Sequence, residues 1–135
     1  MGFFQIPDLP EATLAAGNFY VLKQALRSSS RAGTFSSAEL AIYQKSWAEP
    51  RALRSMLNWY RALPSDTAKS SRTVMPTLVL WGDRDTALDA RLAEASFEFC
   101  GEGEVIHIAG ATHWLHHEEA ELVNAELVRF CGTDA

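Results

Sequence analysis

Residues 75–88 read MPTLVLWGDRDTAL, and residues 104–118 read EVIHIAGATHWLHHE. Each segment begins with an apolar run typical of a buried parallel strand and ends in a short loop that carries a group able to transfer protons. Asp85 follows the first run, and His113 follows the second. Ligands of a parallel sheet bind beyond the carboxyl ends of its strands. The pattern therefore predicts two members of a nucleophile–histidine–acid triad, in which Asp85 orients the imidazole of His113.

The region that contains both segments, residues 74–135, alternates between strand and helix patterns. The predicted elements, in chain order, are strand Leu78–Trp81, helix Asp89–Phe99 capped by Asp89, strand Glu104–Ile108 and helix Glu118–Phe130. A strand, a crossover helix and a parallel strand form a right-handed unit, so we predict an α/β fold. Two parallel strands leave outer edges that expect neighbours, and the pattern therefore resembles the end of a larger sheet.

Residues 1–63 are predicted to be helical throughout, with residues 64–73 as a polar linker. The first helix pattern covers Leu9–Ser29 and is interrupted around Gly17. Ser36 and Glu39 form a capping box that starts a second helix. Pro50 suits the first turn of a third helix, which should end near Leu63. Three arginines on that third helix are expected to form a solvated face, and they are Arg51, Arg54 and Arg61.

The motif Trp81-Gly82-x-x-Asp85, followed by Gly110-Ala111-Thr112-His113-Trp114, resembles the C-terminal part of the α/β-hydrolase fold in its epoxide hydrolase-like branch. The resemblance implies that Asp85 is the charge-relay acid and that His113 is the base that activates the hydrolytic water. The segment Met56-Leu57-Asn58-Trp59-Tyr60-Arg61 is similar to the cap segment of epoxide hydrolases. This similarity implies that residues 1–63 form the cap and that Tyr60 supports the epoxide oxygen. Haloalkane and fluoroacetate dehalogenases are close relatives of this branch, which makes dehalogenation a sister hypothesis.

The sequence departs from the family at the nucleophile. None of its eight glycines flanks an Asp, Ser or Cys in the Gly-x-Ser-x-Gly or Gly-x-Asp-x-Gly spacing that a nucleophile elbow requires. It also contains no His-Gly dipeptide, so the usual oxyanion-hole signature is missing. Two hypotheses follow. The chain is the base, acid and cap portion of a hydrolase, or it is an inactive truncated product or half of a split protein that needs a partner.

Tyrosines and further histidines are also candidates for chemistry. A phenol such as Tyr60 can donate a proton to a developing alkoxide, and Tyr20 and Tyr43 are the remaining candidates for a second cap tyrosine. His116 and His117 share a segment with acidic residues, but the order is not that of a zinc motif, so no metal site and no cofactor are expected. His107 alternates with apolar residues and is interpreted as structural, and Asp83 as a turn or cap aspartate.

Composition excludes several classes of function. With 47% hydrophobic residues, 21% charged residues and a net charge of −5, the chain has the profile of a globular domain without a nucleic-acid-binding face. No apolar run reaches the roughly 18 residues of a membrane span. Two cysteines, Cys100 and Cys131, are expected to be free thiols, and a cytoplasmic location is the default prediction. The expected partners are a small hydrophobic substrate and, at the open sheet edge, a second copy or a missing N-terminal half.

Overall fold

A computed structural model describes residues 2–63 and 72–132, and in it the chain forms two compact units. Of the described residues, 2–28 and 35–63 belong to the first unit, and 29–34 and 72–132 belong to the second. The elements are a 3₁₀ turn Gly2–Gln5, α1 Leu9–Ser28, α2 Ser37–Ala48, α3 Ala52–Ala62, β1 Thr73–Gly82, α4 Arg91–Phe97, β2 Cys100–Ile108, α5 Leu115–Glu118 and α6 Ala120–Gly132. The α/β class predicted from the sequence is therefore confirmed.

The first unit is helical, as predicted. Its α1 is broken where Gly17, Asn18 and Phe19 have positive φ angles, which agrees with the predicted interruption around Gly17. The capping box at the start of α2 is present: the Ser36 hydroxyl accepts from the Glu39 amide, and the Glu39 carboxylate accepts from the Ser36 amide. The buried apolar side chains of this unit are Leu14, Leu26, Phe35, Leu40, Trp47 and Leu57.

One expectation for α3 was wrong, and another holds only in part. The helix begins at Ala52 behind Arg51, which has a φ of 67°, so Pro50 lies in the preceding turn rather than in the first helical turn. Arg51 and Arg54 are exposed, as expected of a solvated face, but Arg61 is not part of it. Arg61 is only 21% exposed; it donates to both carboxylate oxygens of Glu11, at 2.7 and 3.1 Å. The guanidinium thus joins α3 to α1, because a half-buried cation needs a partner.

The second unit is built around one parallel strand pair. Strand β1 pairs with β2 in a register that sets Leu78 beside Glu104 and Gly82 beside Ile108. Both strands extend further towards their N-termini than the apolar runs predicted, since pairing continues back to Thr73 and Cys100. Thr73 therefore belongs to β1 rather than to the predicted linker, and residues 64–71 of that linker lie outside the described residues.

The helices of this unit also differ from the predicted ones. Helix α4 is shorter than expected and its N-cap residue is Ala90, although the Asp89 carboxylate still accepts from the Arg91 amide at 3.0 Å. The predicted closing helix is two helices, α5 and α6, which meet at Glu119. This break at Glu119 separates a short helix directly after the His113 loop from the longer helix, whose Arg129 pairs with Glu104 of β2.

Candidate active site

Asp85 lies in the tight loop that follows β1. Its amide donates to the Gly82 carbonyl at 3.1 Å, which turns the chain immediately after the strand. One carboxylate oxygen, Oδ1, accepts from the amides of Ala87 at 2.7 Å and Leu88 at 3.0 Å. The side chain is 7% exposed, so the loop both buries the carboxylate and fixes its orientation.

His113 lies in the corresponding loop after β2, and the structure brings it to Asp85. Its Nδ1 is 2.8 Å from Oδ2 of Asp85, the oxygen that the loop amides do not occupy. The imidazole is 40% exposed, and the ring of Trp114 meets it edge-on with 5.6 Å between ring centroids. The acid is thus buried while the base remains accessible, which is the arrangement that a proton-transfer pair needs.

Strand register and a close backbone approach explain why the two loops meet. Because Gly82 and Ile108 are partners at the ends of the strands, both loops start side by side. The Arg84 amide donates to the Ala111 carbonyl at 2.9 Å. A side chain at position 82 would not fit, since a Cβ there would lie 2.3 Å from the Thr112 carbonyl oxygen and 2.7 Å from that of Ala111. Gly82 therefore lets the His113 loop pack directly on the end of β1.

The electrostatics of the pair define which nitrogen can act as a base. Burial would raise the pKa of Asp85, but hydrogen bonds from His113 and from the Leu88 and Ala87 amides outweigh it and hold the pKa below its ordinary value. An ionised carboxylate only accepts hydrogen bonds, so the proton of neutral His113 is assigned to Nδ1. The lone pair is then on Nε2, which can take a proton from water while Asp85 stabilises the imidazolium.

A second histidine cluster lies one residue further back on the same strand pair. His107 contacts Asp83 through Nδ1 at 2.5 Å and Glu94 through Nε2 at 2.6 Å. Hydrogen bonds to Asp83 and then Glu94 raise the pKa of His107. These two contacts give His107 a structural role. Asp83 lies in the turn after β1, and its carboxylate also pairs with this imidazole. The cluster ties α4 to the end of the strands.

Sequence reasoning did not single out Glu118 as part of the histidine loop. Its side chain is completely buried, and it accepts from both the amide and the hydroxyl of Thr112, the residue before His113, at 2.8 Å each. In the sequence, Glu118 is recognisable only as an acidic residue shortly after the Thr112-His113 pair. That position indicates a role in the loop only once the loop is seen to fold back onto α5. The arrangement connects the base loop to a buried charge.

Tyr60 belongs to the first unit, and its role beside the pair stays a prediction. It lies on α3 with 39% of its surface exposed, and its ring is 5.3 Å from that of Phe4. Tyr60 also lines a cavity of 370 Å³ whose other walls are almost entirely apolar: Phe3, Phe4, Leu14, Val21, Leu22, Met56 and Leu57. Of the other two tyrosines, Tyr43 packs against Trp47 and Phe35, and Tyr20 is 62% exposed.

The described residues form neither a metal-ligand cluster nor a membrane-spanning helix. Within residues 2–63 and 72–132, no three His, Cys, Asp or Glu side chains are grouped so that they could hold a metal ion. The rings of His116 and His117 contact each other in α5 at a tilt of 51°, with 4.6 Å between ring centroids. Both cysteines are free thiols. None of the helices in the described ranges has the length and apolarity needed to cross a membrane.

Comparisons with known proteins agree with this geometry. The chain is 35% identical over 132 residues to an AB hydrolase superfamily protein, YfhM, of Bacillus subtilis, covering 96% of this chain and 46% of that protein. It is 31% identical over 140 residues to Epoxide hydrolase 2 of Caenorhabditis elegans, covering 98% of this chain and 39% of that protein. The chain thus spans less than half the length of these curated relatives. No protein-family model matches it.

Solved structures similar to this chain also include epoxide hydrolases. An epoxide hydrolase from Bacillus megaterium superposes with a TM-score of 0.80 at 19% identity, over 98% of this chain and 50% of that structure. At this identity the likeness establishes the fold alone, whereas the sequence relatives establish the branch. The parallel strand ends that present Asp85 and His113 correspond to the C-terminal portion of that fold. The chain belongs to the α/β-hydrolase superfamily, in its epoxide hydrolase-like branch, and spans half the length or less of the proteins that it matches.

Proposed function

We propose that this chain supplies the histidine base, the orienting acid and a cap tyrosine of a hydrolase that works through a covalent ester, as in epoxide hydrolysis to a diol. The observation that carries the proposal is the 2.8 Å contact between His113 Nδ1 and Asp85 Oδ2 at the ends of adjacent parallel strands. It leaves a 40% exposed imidazole whose Nε2 is available for proton transfer.

In the first step, an oxygen of a carboxylate nucleophile attacks an epoxide carbon. A carbon–oxygen ester bond forms, and the carbon–oxygen bond of the strained ring breaks. The phenol of Tyr60 donates its proton to the departing oxygen, so that the product is a hydroxy ester rather than an alkoxide. The phenolate takes a proton back from solvent before the next turnover.

In the second step, Nε2 of His113 removes a proton from water, and the oxygen of that water adds to the ester carbonyl carbon. Asp85 stabilises the imidazolium through Nδ1. The bond between the acyl carbon and the alkyl oxygen then breaks, and the imidazolium returns its proton to that oxygen. A diol is released, and the nucleophile is left as a carboxylic acid that carries the second proton of the water. It loses this proton to solvent and is thereby restored as a carboxylate. The proton that passes from water to the departing alkyl oxygen is transferred by His113.

No Gly-x-Asp-x-Gly sequence occurs among the 135 residues, so we propose that the nucleophile is supplied from outside them. We place it on the portion of the fold that the curated relatives possess and that this chain does not span. For the substrate we propose a small hydrophobic epoxide. Two facts support this choice: several relatives are named epoxide hydrolases, and Tyr60 lines an apolar cavity of 370 Å³.

A chimera tests the proposal. The 140-residue segment of Caenorhabditis elegans Epoxide hydrolase 2 that aligns with this chain would be replaced by this chain, and hydrolysis of styrene oxide would be followed. We expect turnover by the chimera. With His113→Gln, we expect the protein mass to increase by one substrate, because the ester forms and is not hydrolysed. His107→Gln is the matched control and should turn over normally. A folded His113→Gln chimera that releases diol at the unsubstituted rate would refute the proposal.

Tyr60 distinguishes epoxide hydrolysis from the sister hypothesis of dehalogenation. In the same chimera, Tyr60→Phe should slow ester formation from an epoxide by about 100-fold, the lower end of general acid contributions. It should leave hydrolysis of the preformed ester unchanged, since that step uses His113. Release of halide from a haloalkane, with no diol formed from styrene oxide, would favour the dehalogenase instead.

The strand pair favours a second proposal, that the chain acts together with another segment which completes its sheet. In the described residues the sheet has two strands, and Val74 and Met75 on β1 are 82% and 67% exposed. A parallel sheet is normally covered by neighbours. We expect the isolated chain to self-associate or to bind a hydrophobic dye. A sharp monomeric elution profile without dye binding would count against this expectation.

A further inference from the structure

Glu118 is a charged group that the proposed chemistry does not use and that is nevertheless fully buried. Its carboxylate has a side-chain exposure of 0%. Removing a carboxylate from water costs several kcal/mol unless hydrogen bonds and an opposite charge replace the lost hydration. A group of this kind, five residues from a histidine base, needs an explanation.

The contacts of Glu118 with the base loop provide the first part of that explanation. The Thr112 amide donates to Oε2 and the Thr112 hydroxyl donates to Oε1, both at 2.8 Å. The Thr112 hydroxyl also accepts from the Trp114 amide at 3.3 Å. The two residues that flank His113 along the chain are thereby held to one carboxylate, directly or through a single hydroxyl. The backbone of the base is fixed from this side.

The remaining contacts of Glu118 reach a segment far away in sequence. The Arg31 amide donates to Oε1 at 2.7 Å, and the Thr34 hydroxyl donates to the same oxygen at 3.3 Å. The Arg31 guanidinium donates to the Glu118 carbonyl at 2.5 Å and pairs with Glu119 at 2.7 Å. Residues 29–34 belong to the same compact unit as the base loop. Trp114 donates to the Ser29 hydroxyl at 2.8 Å, so the segment also contacts the residue after His113.

From these contacts we propose that Glu118 is a positioning residue for His113 and that Arg31 is its counter-ion. Gly82 and Arg84 hold the base loop against the acid from one side, and Glu118 holds it from the other. The charge is stable there: burial would raise the pKa of Glu118, but hydrogen bonds from Arg31 and Thr112, with the Arg31 charge, keep it below its ordinary value. The carboxylate stays ionised and accepts all of these donors.

The inference rests on the proposed role of His113, but its test does not require turnover. An imidazole N–H that donates to a carboxylate gives a proton NMR signal at low field. We expect one such signal from Nδ1 of His113 and others from His107, assigned with His113→Gln and His107→Gln. In Glu118→Gln the His113 signal should broaden or disappear, while the His107 signals remain as an internal control. The midpoint of Asp85 titration should rise, because the bond that lowers its pKa is weakened.

The matched control is Glu121→Gln, which removes an exposed carboxylate from the first turn of α6 and should leave both sets of signals unchanged. If Glu118→Gln does not fold, Glu118→Asp and Arg31→Gln decide. The first keeps the charge but is one methylene too short to reach Thr112 and Arg31 together, and the second removes the counter-ion. Loss of the His113 signal in these variants supports the inference.

A purely structural Glu118 would give a different result. The variants would lower the unfolding temperature and leave the His113 signal sharp and at the same position, and this outcome would overturn the inference. The two proposals fail separately. An inactive chimera whose His113 signal depends on Glu118 would refute the proposed function, whereas an active chimera whose signal does not depend on Glu118 would refute the positioning role.

Discussion

Replacing Gly82 by alanine should displace the loop after β2 that carries His113. The added Cβ would lie 2.3 Å from the Thr112 carbonyl oxygen, whereas ordinary contact begins at 3.4 Å. The neighbour is backbone, so the clash cannot be relieved by a rotamer change. The loop must move by about 1 Å to reach ordinary contact, and overpacking forces backbone shifts of this kind.

The size of the effect follows from that displacement. Overpacking of this kind costs about 2 kcal/mol, which for a chain of this length corresponds to a fall of about 7 °C in unfolding temperature. The displacement also acts on the pair itself. A shift of about 1 Å along the bond direction would lengthen the contact between His113 Nδ1 and Asp85 Oδ2, now 2.8 Å, beyond the hydrogen-bond range.

The assay is thermal and urea unfolding followed by circular dichroism, together with the low-field proton signal of His113. Gly110→Ala is a matched control in the same loop, since the nearest atom to its Cβ would be Arg31 Nη1 at 3.8 Å. We expect Gly110→Ala to change stability by less than about 0.5 kcal/mol. If Gly82→Ala were as stable as Gly110→Ala and kept the His113 signal, the close approach of the two loops would not control the site.

Three further predictions concern other parts of the chain. Ser36→Ala removes the capping box of α2 and should lower the free energy of unfolding by about 1 kcal/mol in urea titrations, with Ser37→Ala as a control. Leu57→Ala, at a 2% exposed site, should cost about 3 kcal/mol, and a loss below 1 kcal/mol would contradict its place in the helical core. For His107, the raised pKa means that its stabilisation is complete below about pH 6.5 and is lost as the pH rises through the folded-state value, so His107→Gln should flatten the stability profile between neutral and mildly alkaline pH.

Local patterns were sufficient to predict most elements of the fold. The apolar run at Leu78–Trp81 identified a parallel strand because a strand buried on both faces needs apolar residues on both. The Ser36–Glu39 pair identified a helix start because both side chains satisfy amides that the helix leaves unpaired. Asp85 and His113 were found because they follow consecutive parallel strands, and topology places such loops together.

What could not be predicted depends on pairing over long distances in sequence. The contact of Arg31 with Glu118 joins residues 87 apart, and that of Arg61 with Glu11 joins residues 50 apart. Each residue alone has the pattern of an exposed charge, which is why the α3 arginines were interpreted as a solvated face. Strand ends were missed for the same reason, because the first residues of β1 are stabilised by pairing with β2 rather than by burial.

The contacts that hold His113 bear on the proposed hydrolysis. Among the described residues, the hydrogen bonds that hold His113 and its loop come from the second unit: Asp85 from the loop after β1, and Glu118 with residues 29–34. None of these groups belongs to a nucleophile or to a substrate. The geometry of the base is therefore set before any ester is formed, which is the condition under which a positioned group is most effective, since reorganisation has been completed on folding. A nucleophile supplied from elsewhere in the fold would meet a base that is already aligned.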